Sequence, residues 1–318
     1  MTERIDSWQS AIKARFYYLL RRSLNQKKRD GLKKWQNIAR RRTAKFHSLF
    51  HNKYSAADLI DQLKARVPDD FEILMVHSAY DHLLPMYSGS PQQLLDELIS
   101  YCGPERSLAM PAFCLGGRTR DKRAYYRNNV FDVRKTSSEM GLLTEIFRRK
   151  AGVKRSLHPT HSVCALGPRA SELVAGHHLC QTRTGHGSPF EVMANRRCVI
   201  VGLGVEWFRV ITQTHCAEDM LGDAFPIRFA KESFPVTMLD WDGSSVIYNL
   251  TVLSTSRVLD NTILRTFLDS DDLKTWRFNG SPLFATFADK ITTGLISAAH
   301  KGLTVYGAAE QKVDSLSS

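Results

Sequence analysis

The chain has 318 residues, 43% apolar, 24% charged and 10% aromatic, which admits one large or two ordinary folded domains and excludes a disordered, collagenous or short disulfide-built chain. Its formal charge is +12, but residues 1–53 carry 15 Lys/Arg against Glu3, Asp6 and Asp30, leaving 29 residues of each sign for the rest. The body is neutral, so the charge gives no support to a nucleic-acid groove across the fold.

Two domains are expected: a basic amphipathic helical extension over 1–55 and a folded body over 56–318. In the extension, Ile5, Trp8, Ile12, Phe16, Leu19 and Leu20 recur at helical spacing, and Leu32, Trp35, Ile38, Phe46, Leu49 and Phe50 repeat the pattern among Lys and Arg. Such faces fit helices lying at an anionic membrane surface, and equally helices packed on the body with a solvated basic side. The six cysteines have no C-x-x-C pair and no zinc spacing, so reduced, mostly buried thiols and no metal are expected. There is no signal-peptide pattern and no apolar run of about 18 residues. The expected location is the cytoplasm, with peripheral contact at the inner membrane face through the extension.

From Ala56 onward strand and helix signals alternate. Phe71 to Val76 reads as a buried strand ending at the polar turn His77-Ser78. Ser90, Pro91 and Gln93 form the start of a capped helix that Gly103 stops, and Ser107 to Phe113 is the next strand. Thr136-Ser137-Ser138-Glu139 predicts a second capping box, opening a helix to Gly152. Cys198 to Leu203 is another strand, Asp242-Gly243 turns an antiparallel hairpin, and Ser281-Pro282 predicts a helix with Leu283, Phe284, Phe287, Ile291 and Leu295 on one face. The sum is an α/β body with a mixed sheet.

Ligands in layered α/β folds gather where strands end, so the polar turns are searched first. They are His77-Ser78-Ala79-Tyr80, the run from Arg155 to Ser162, the run from Gly185 to Phe190, and the run from Thr212 to Asp219. On a helix His215 and Glu218 share a face, and a carboxylate there can orient an imidazole for general-base work. Alone, the pair also fits an ordinary surface contact. Cys216 has no basic partner evident and reads as a buried thiol.

Taken in order, VHSAY (76–80), MPAF (110–113), FDVRKTSSEMG (131–141), KRSLHPTHSVCALGP (154–168), GHGSPFEVM (185–193), VIVGLGV (199–205) and THCAED (214–219) resemble the aminoglycoside 3-N-acetyltransferase, or antibiotic N-acetyltransferase, family. The resemblance covers roughly 56–306. It implies a three-layer α/β/α fold with a mixed central sheet, distinct from the common N-acetyltransferase superfold. It also implies acetyl-CoA as cosubstrate without a metal, and direct acyl transfer in a ternary complex. By the same resemblance His215 is the catalytic base with Glu218 as its carboxylate, while His77, Ser78, Ala79, Arg155, Ser156, His158 and Ser188 line the coenzyme and active-site cleft.

Members that modify antibiotics tend to place acids where they hold a polycationic drug. Here the loop Gly116 to Arg123 is strongly basic and Asn249 to Val258 contains no acid, so like charges would repel a polycation. The expected acceptor is therefore the amine of an amino sugar in a neutral or anionic glycan precursor. The alternatives are an aminoglycoside 3-N-acetyltransferase that confers resistance and a non-catalytic coenzyme-binding module.

Overall fold

In the computed structural model the described residues are 12–20, 51–117 and 121–308, with the single positions 23, 28, 31 and 119. The apolar run after Phe71 becomes β1 (Ile73–Ser78). Its side chains alternate between two cores, as strand geometry requires. Leu74 and Val76 enter one cluster, and Ile73 and Met75 enter another on the opposite face.

The helices are amphipathic in the matching sense. On the first face lie α2 (Ala56–Lys64), α3 (Pro91–Cys102) and α4 (Leu142–Phe147), whose Leu59, Leu63, Leu94, Leu98, Leu143 and Phe147 join the first cluster. The second face carries α5 (Pro189–Ala194), α6 (Thr214–Leu221) and α7 (Ala288–His300), contributing Phe190, Met193, Cys216, Ala217, Ile291 and Leu295. The result is a three-layer α/β/α fold.

The central sheet has seven strands in the order β4-β5-β2-β1-β6-β10-β9. Parallel β2 (Ser107–Pro111), β1 and β6 (Cys198–Leu203) form its middle. Antiparallel β5 (Val163–Leu166) and β4 (Lys154–Arg155) close one edge, and β10 (Ser281–Phe287) with β9 (Leu273–Phe278) close the other. A smaller sheet joins β3 (Phe131–Asp132) to the long hairpin of β7 (Ala230–Leu239) and β8 (Ser245–Ser254). Gly243 turns that hairpin at φ +88°, a conformation that costs glycine little.

The α3 capping box forms as expected, with Ser90 and Gln93 bonded reciprocally and Gly103 at the end. The second does not. Thr136 Oγ1 accepts the Asp132 amide at 2.9 Å and Glu139 Oε1 accepts the Gly117 amide at 2.9 Å. The helix starts six residues later than Thr136, after Gly141 at φ +103°, because Thr136 is taken by the turn that precedes it and Glu139 by a backbone amide 22 residues away. Ser281 to Phe287 is likewise a strand, not a helix, and only 288–300 is helical. Between β6 and β9 this segment gains backbone pairing on both sides, which no local propensity can offer.

Helix α1 (residues 12–20) is the longest described stretch of the basic extension. It buries Ala14 and sets Tyr17 against Phe208 at 5.4 Å, while Ile12, Phe16 and Leu19 face solvent. The second amphipathic stretch, Leu32 to Phe50, lies outside the described residues.

Gly202 lies opposite Phe284 across β6 and β10, and a Cβ there would stand 2.0 Å from the Phe284 ring. Gly202→Ala is expected to cost about 1–3 kcal/mol, read as a thermal midpoint lowered by roughly 3–10 °C. Adding Phe284→Leu should recover part of that loss, and a single variant melting like wild type would contradict the packing argument.

Candidate active site

Strands β1, β2 and β6 end on the same side of the sheet. From β1 the chain goes to β2 on one flank, and β6 later pairs on the other. Such a reversal is where an open α/β sheet receives ligands, and His77-Ser78-Ala79 sits there, at the carboxyl end of β1. Gly141 packs beside the Ser78 carbonyl, so the loop before α4 lies at the same place.

Helix α6 follows β6 and brings the H-x-x-E pair to this end. It is anchored by Cys216 and Ala217 in the core, and by Gln213, whose Nε2 donates to Phe190 O and Thr292 Oγ1 at 2.9 Å each. The opposite side of the helix turns His215 and Glu218 toward each other. His215 Nδ1 donates to Glu218 Oε1 at 2.9 Å, with the carboxylate side chain 1% exposed and the imidazole 20%. Since an ionised carboxylate only accepts, the hydrogen is on Nδ1 and the Nε2 lone pair is the one left for proton transfer.

Arg183 completes the group, donating from Nη2 to the same Oε1 at 2.8 Å. Burial pushes the Glu218 carboxyl up, but His215 and Arg183 outweigh it and hold the group below its usual value. Asp219 is raised by burial, and Thr184 donates to its Oδ2 from N–H at 2.9 Å and from Oγ1 at 2.5 Å. Tyr306 lies beside Glu218, and burial together with that carboxylate keeps its phenol protonated.

A buried relay holds Arg183 in place. The Ser156 Oγ accepts the Val163 amide at 2.9 Å and donates to His177 Nδ1 at 2.9 Å; His177 Nε2 donates to Arg183 O at 2.9 Å. His158 stacks on His177 at 4.4 Å, and its Nδ1 accepts the amides of Thr160 and His161. His161 Nδ1 bonds Thr160 Oγ1 at 2.8 Å, and its ring packs on Phe113. Nothing in the spacing of the motifs marks Arg183 or Tyr306 as partners of the His215–Glu218 pair.

The seven residues expected to line the coenzyme cleft divide into two groups. Ser78 and Ala79 are half-exposed at the β1 exit. The other five are buried. Arg155 donates to Thr136 O, Ala112 O and Ser162 Oγ at 2.5, 2.6 and 2.9 Å. Ser188 caps α5 by accepting from the Glu191 amide. Ser156 and His158 belong to the relay, and His77 is desolvated beneath the turn. Their side chains are engaged in the scaffold, because the loops carrying them run under the sheet end and need internal hydrogen-bond partners.

Among the described residues no cluster of three His, Cys, Asp or Glu could hold a metal. All six cysteines are free and buried, and burial pushes Cys216 up to about 12.

Burial lowers His77 and His177 to about 4 and His158 well below its ordinary 6.5. A group that is harder to protonate when folded contributes stability that is present above 6.5 and lost as pH falls toward 4. Carboxylates such as Glu145, held at about 2 by Arg148 and Ser138 against burial, act only below 4.5. Asp219 opposes the trend but is one group against four, since burial lowers His161 in the same way. The thermal midpoint is therefore expected to fall between pH 7 and pH 5; a flat profile there would contradict the neutral buried histidines.

A family model for aminoglycoside 3-N-acetyltransferase matches residues 75–278. The chain belongs to that family. It is 27% identical over 125 residues to aminoglycoside N(3)-acetyltransferase IV of Salmonella sp, a match spanning 39% of this chain and 43% of the length of that relative. Among solved structures, one described as AAC-IIIb binary with CoASH superposes with TM-score 0.64 at 20% identity, covering 79% of this chain and 97% of the other. Another, AAC-VIa bound to sisomicin, gives 0.60 at 21% identity over 76% and 96%. At these identities the structures attest the fold.

Proposed function

We propose that this protein is an acetyl-CoA-dependent N-acetyltransferase acting on an amine of an aminoglycoside-type amino sugar, with His215 as general base. The observation that carries it is the His215 Nδ1 to Glu218 Oε1 bond at the carboxyl end of the parallel strands. Acetyl-CoA supplies an acyl group activated as a thioester. His215 Nε2 takes a proton from the acceptor amine as its nitrogen attacks the thioester carbonyl; the new N–C bond replaces the C–S bond, and the proton passes on to the sulfur that leaves as the thiol of the coenzyme. Glu218 keeps the ring in that tautomer and stabilises the imidazolium once formed. The half-exposed Ser78-Ala79 turn, at the crevice where an α/β sheet receives ligands, is the part of this chain that fits the coenzyme beside it.

The acceptor reading follows the family and the drug-bound relative, and departs from the glycan precursor that the basic loop suggested. That loop repels less than its composition implies. Lys122 donates to the carbonyls of Leu115 and Gly117, Asp121 caps the turn that follows, and Arg123 faces Glu232 at 3.9 Å. Like charges so engaged, at an exposed and screened surface, give weak selection against a cation. Arg118 and Arg120 lie outside the described residues.

The test is coenzyme A release from acetyl-CoA over a panel of aminoglycosides and nucleotide-linked amino sugars. Turnover on the drugs supports the proposal. Turnover on the nucleotide sugars alone would restore the glycan reading, and coenzyme binding without turnover on any amine would favour a binding module.

A further inference from the structure

Glu218 Oε1 receives two donors on one oxygen, His215 Nδ1 at 2.9 Å and Arg183 Nη2 at 2.8 Å. A histidine and a carboxylate suffice to orient a base. The arginine is an addition, and an expensive one to install: its side chain is 22% exposed and its Nε is buried without a hydrogen-bond partner. Its carbonyl is also fastened through His177 to Ser156, so the fold fixes where this charge sits.

We propose that Arg183 is a positioning residue that holds Glu218 ionised with Oε1 on His215 Nδ1, and whose fixed charge sets the pH at which the pair becomes free to accept a proton from substrate. The inference rests on the reading of His215 as the base. From helix α6 the pair is faced by Asp219, from the loop before α5 by Arg183, from the loop after β4 by His161, and from the segment after α7 by Tyr306. Asp219 is drawn toward its neutral form by burial and is occupied by Thr184, and His161 is kept neutral by burial. Tyr306 is uncharged. Arg183 is the permanently charged member of the set.

The sign follows from electrostatics. A proton arriving at the His215–Glu218 pair is repelled by the guanidinium, so removing that charge makes the pair hold its proton more tightly. The base is then blocked up to a higher pH. This direction holds whichever of the two residues carries the proton.

The experiment compares wild type with Arg183→Met, Arg183→Gln and Arg183→Lys in two readouts. One is the pH profile of kcat/KM. The other is the NMR titration of the His215 ring in the free protein, with its signal assigned by its loss in His215→Ala. In Met and Gln variants both the acid limb and the titration midpoint should move to higher pH by about one unit, and Lys should return them most of the way. Gln keeps a donor for Glu218 without the charge, so it also serves if Met does not fold. A midpoint unchanged in the uncharged variants, with kcat/KM reduced by one factor at every pH, would overturn the proposal and leave Arg183 as scaffold. So would a Lys variant that behaves like Met. The titration needs no substrate, so absence of acetyl transfer in wild type would remove the reading of the reaction while the NMR midpoints still decided the role of Arg183.

Discussion

His215→Ala is expected to reduce kcat/KM for amine acetylation by about 10²–10⁴-fold with little change in thermal midpoint. Both halves follow from where the ring sits. The imidazole is partly exposed and hydrogen-bonds Glu218 through Nδ1. Helix α6 is held by Gln213, Cys216 and Ala217 on its other side, so truncation removes the proton acceptor without opening the core. The loss should be largest for acceptors whose amine is protonated at the assay pH and smaller as pH rises, since hydroxide and free amine then do more of the work. Glu218→Gln should fall between wild type and His215→Ala, because an amide can still accept from Nδ1 but cannot balance an imidazolium. A His215→Ala enzyme with unchanged kcat/KM would remove the base from this site altogether.

Arg155→Met should act in the opposite way, through stability. Arg155 is 2% exposed and ties three segments together: Ala112 at the exit of β2, Thr136 in the loop before α4, and Ser162 before β5. Its guanidinium also lies 4.9 Å over Phe131. Methionine fills much of the volume but donates to none of these acceptors; Ala112 O and Ser162 Oγ keep their bond to each other at 2.7 Å, whereas Thr136 O loses a charged donor, and a buried acceptor left unpaired costs about 1–3 kcal/mol. With the charge-assisted bonds to Ala112 and Ser162 lost as well, a loss of about 3–5 kcal/mol is expected, lowering the thermal midpoint by roughly 10 °C. The protein that remains folded should bind acetyl-CoA normally. The opposite pattern, an unchanged midpoint with coenzyme affinity selectively reduced, would return Arg155 to the coenzyme cleft where the family resemblance places it.

The contrast between these two residues shows what was legible. His215 and Glu218 could be paired from their spacing alone, since residues three apart on a helix meet wherever the helix lies. Arg155, Ser156, His158 and Ser188 stood in motifs of the same apparent weight, and the residue types were right for holding phosphates or a pantetheine arm. What decides between a ligand contact and a structural hydrogen bond is which polar groups end up within 3 Å after folding, and for Arg155 these come from residues up to 43 positions away.

The amino-acid order by itself determined the local facts: the β1 strand and its polar exit, the Ser90–Gln93 cap, the Asp242-Gly243 hairpin, a mixed sheet with helices on it, and the H-x-x-E pair. These depend on side-chain periodicity and short-range hydrogen bonding, which are written within a few residues. The tertiary structure alone decided that Ser281 to Phe287 is a strand and that Glu139 bonds Gly117 rather than capping a helix. It also decided that Arg183 shares a carboxylate with His215 across 35 residues of chain. Each is a choice between partners of similar local merit, settled by long-range pairing and by the need to satisfy buried polar groups, terms that exist only once the layers have come together.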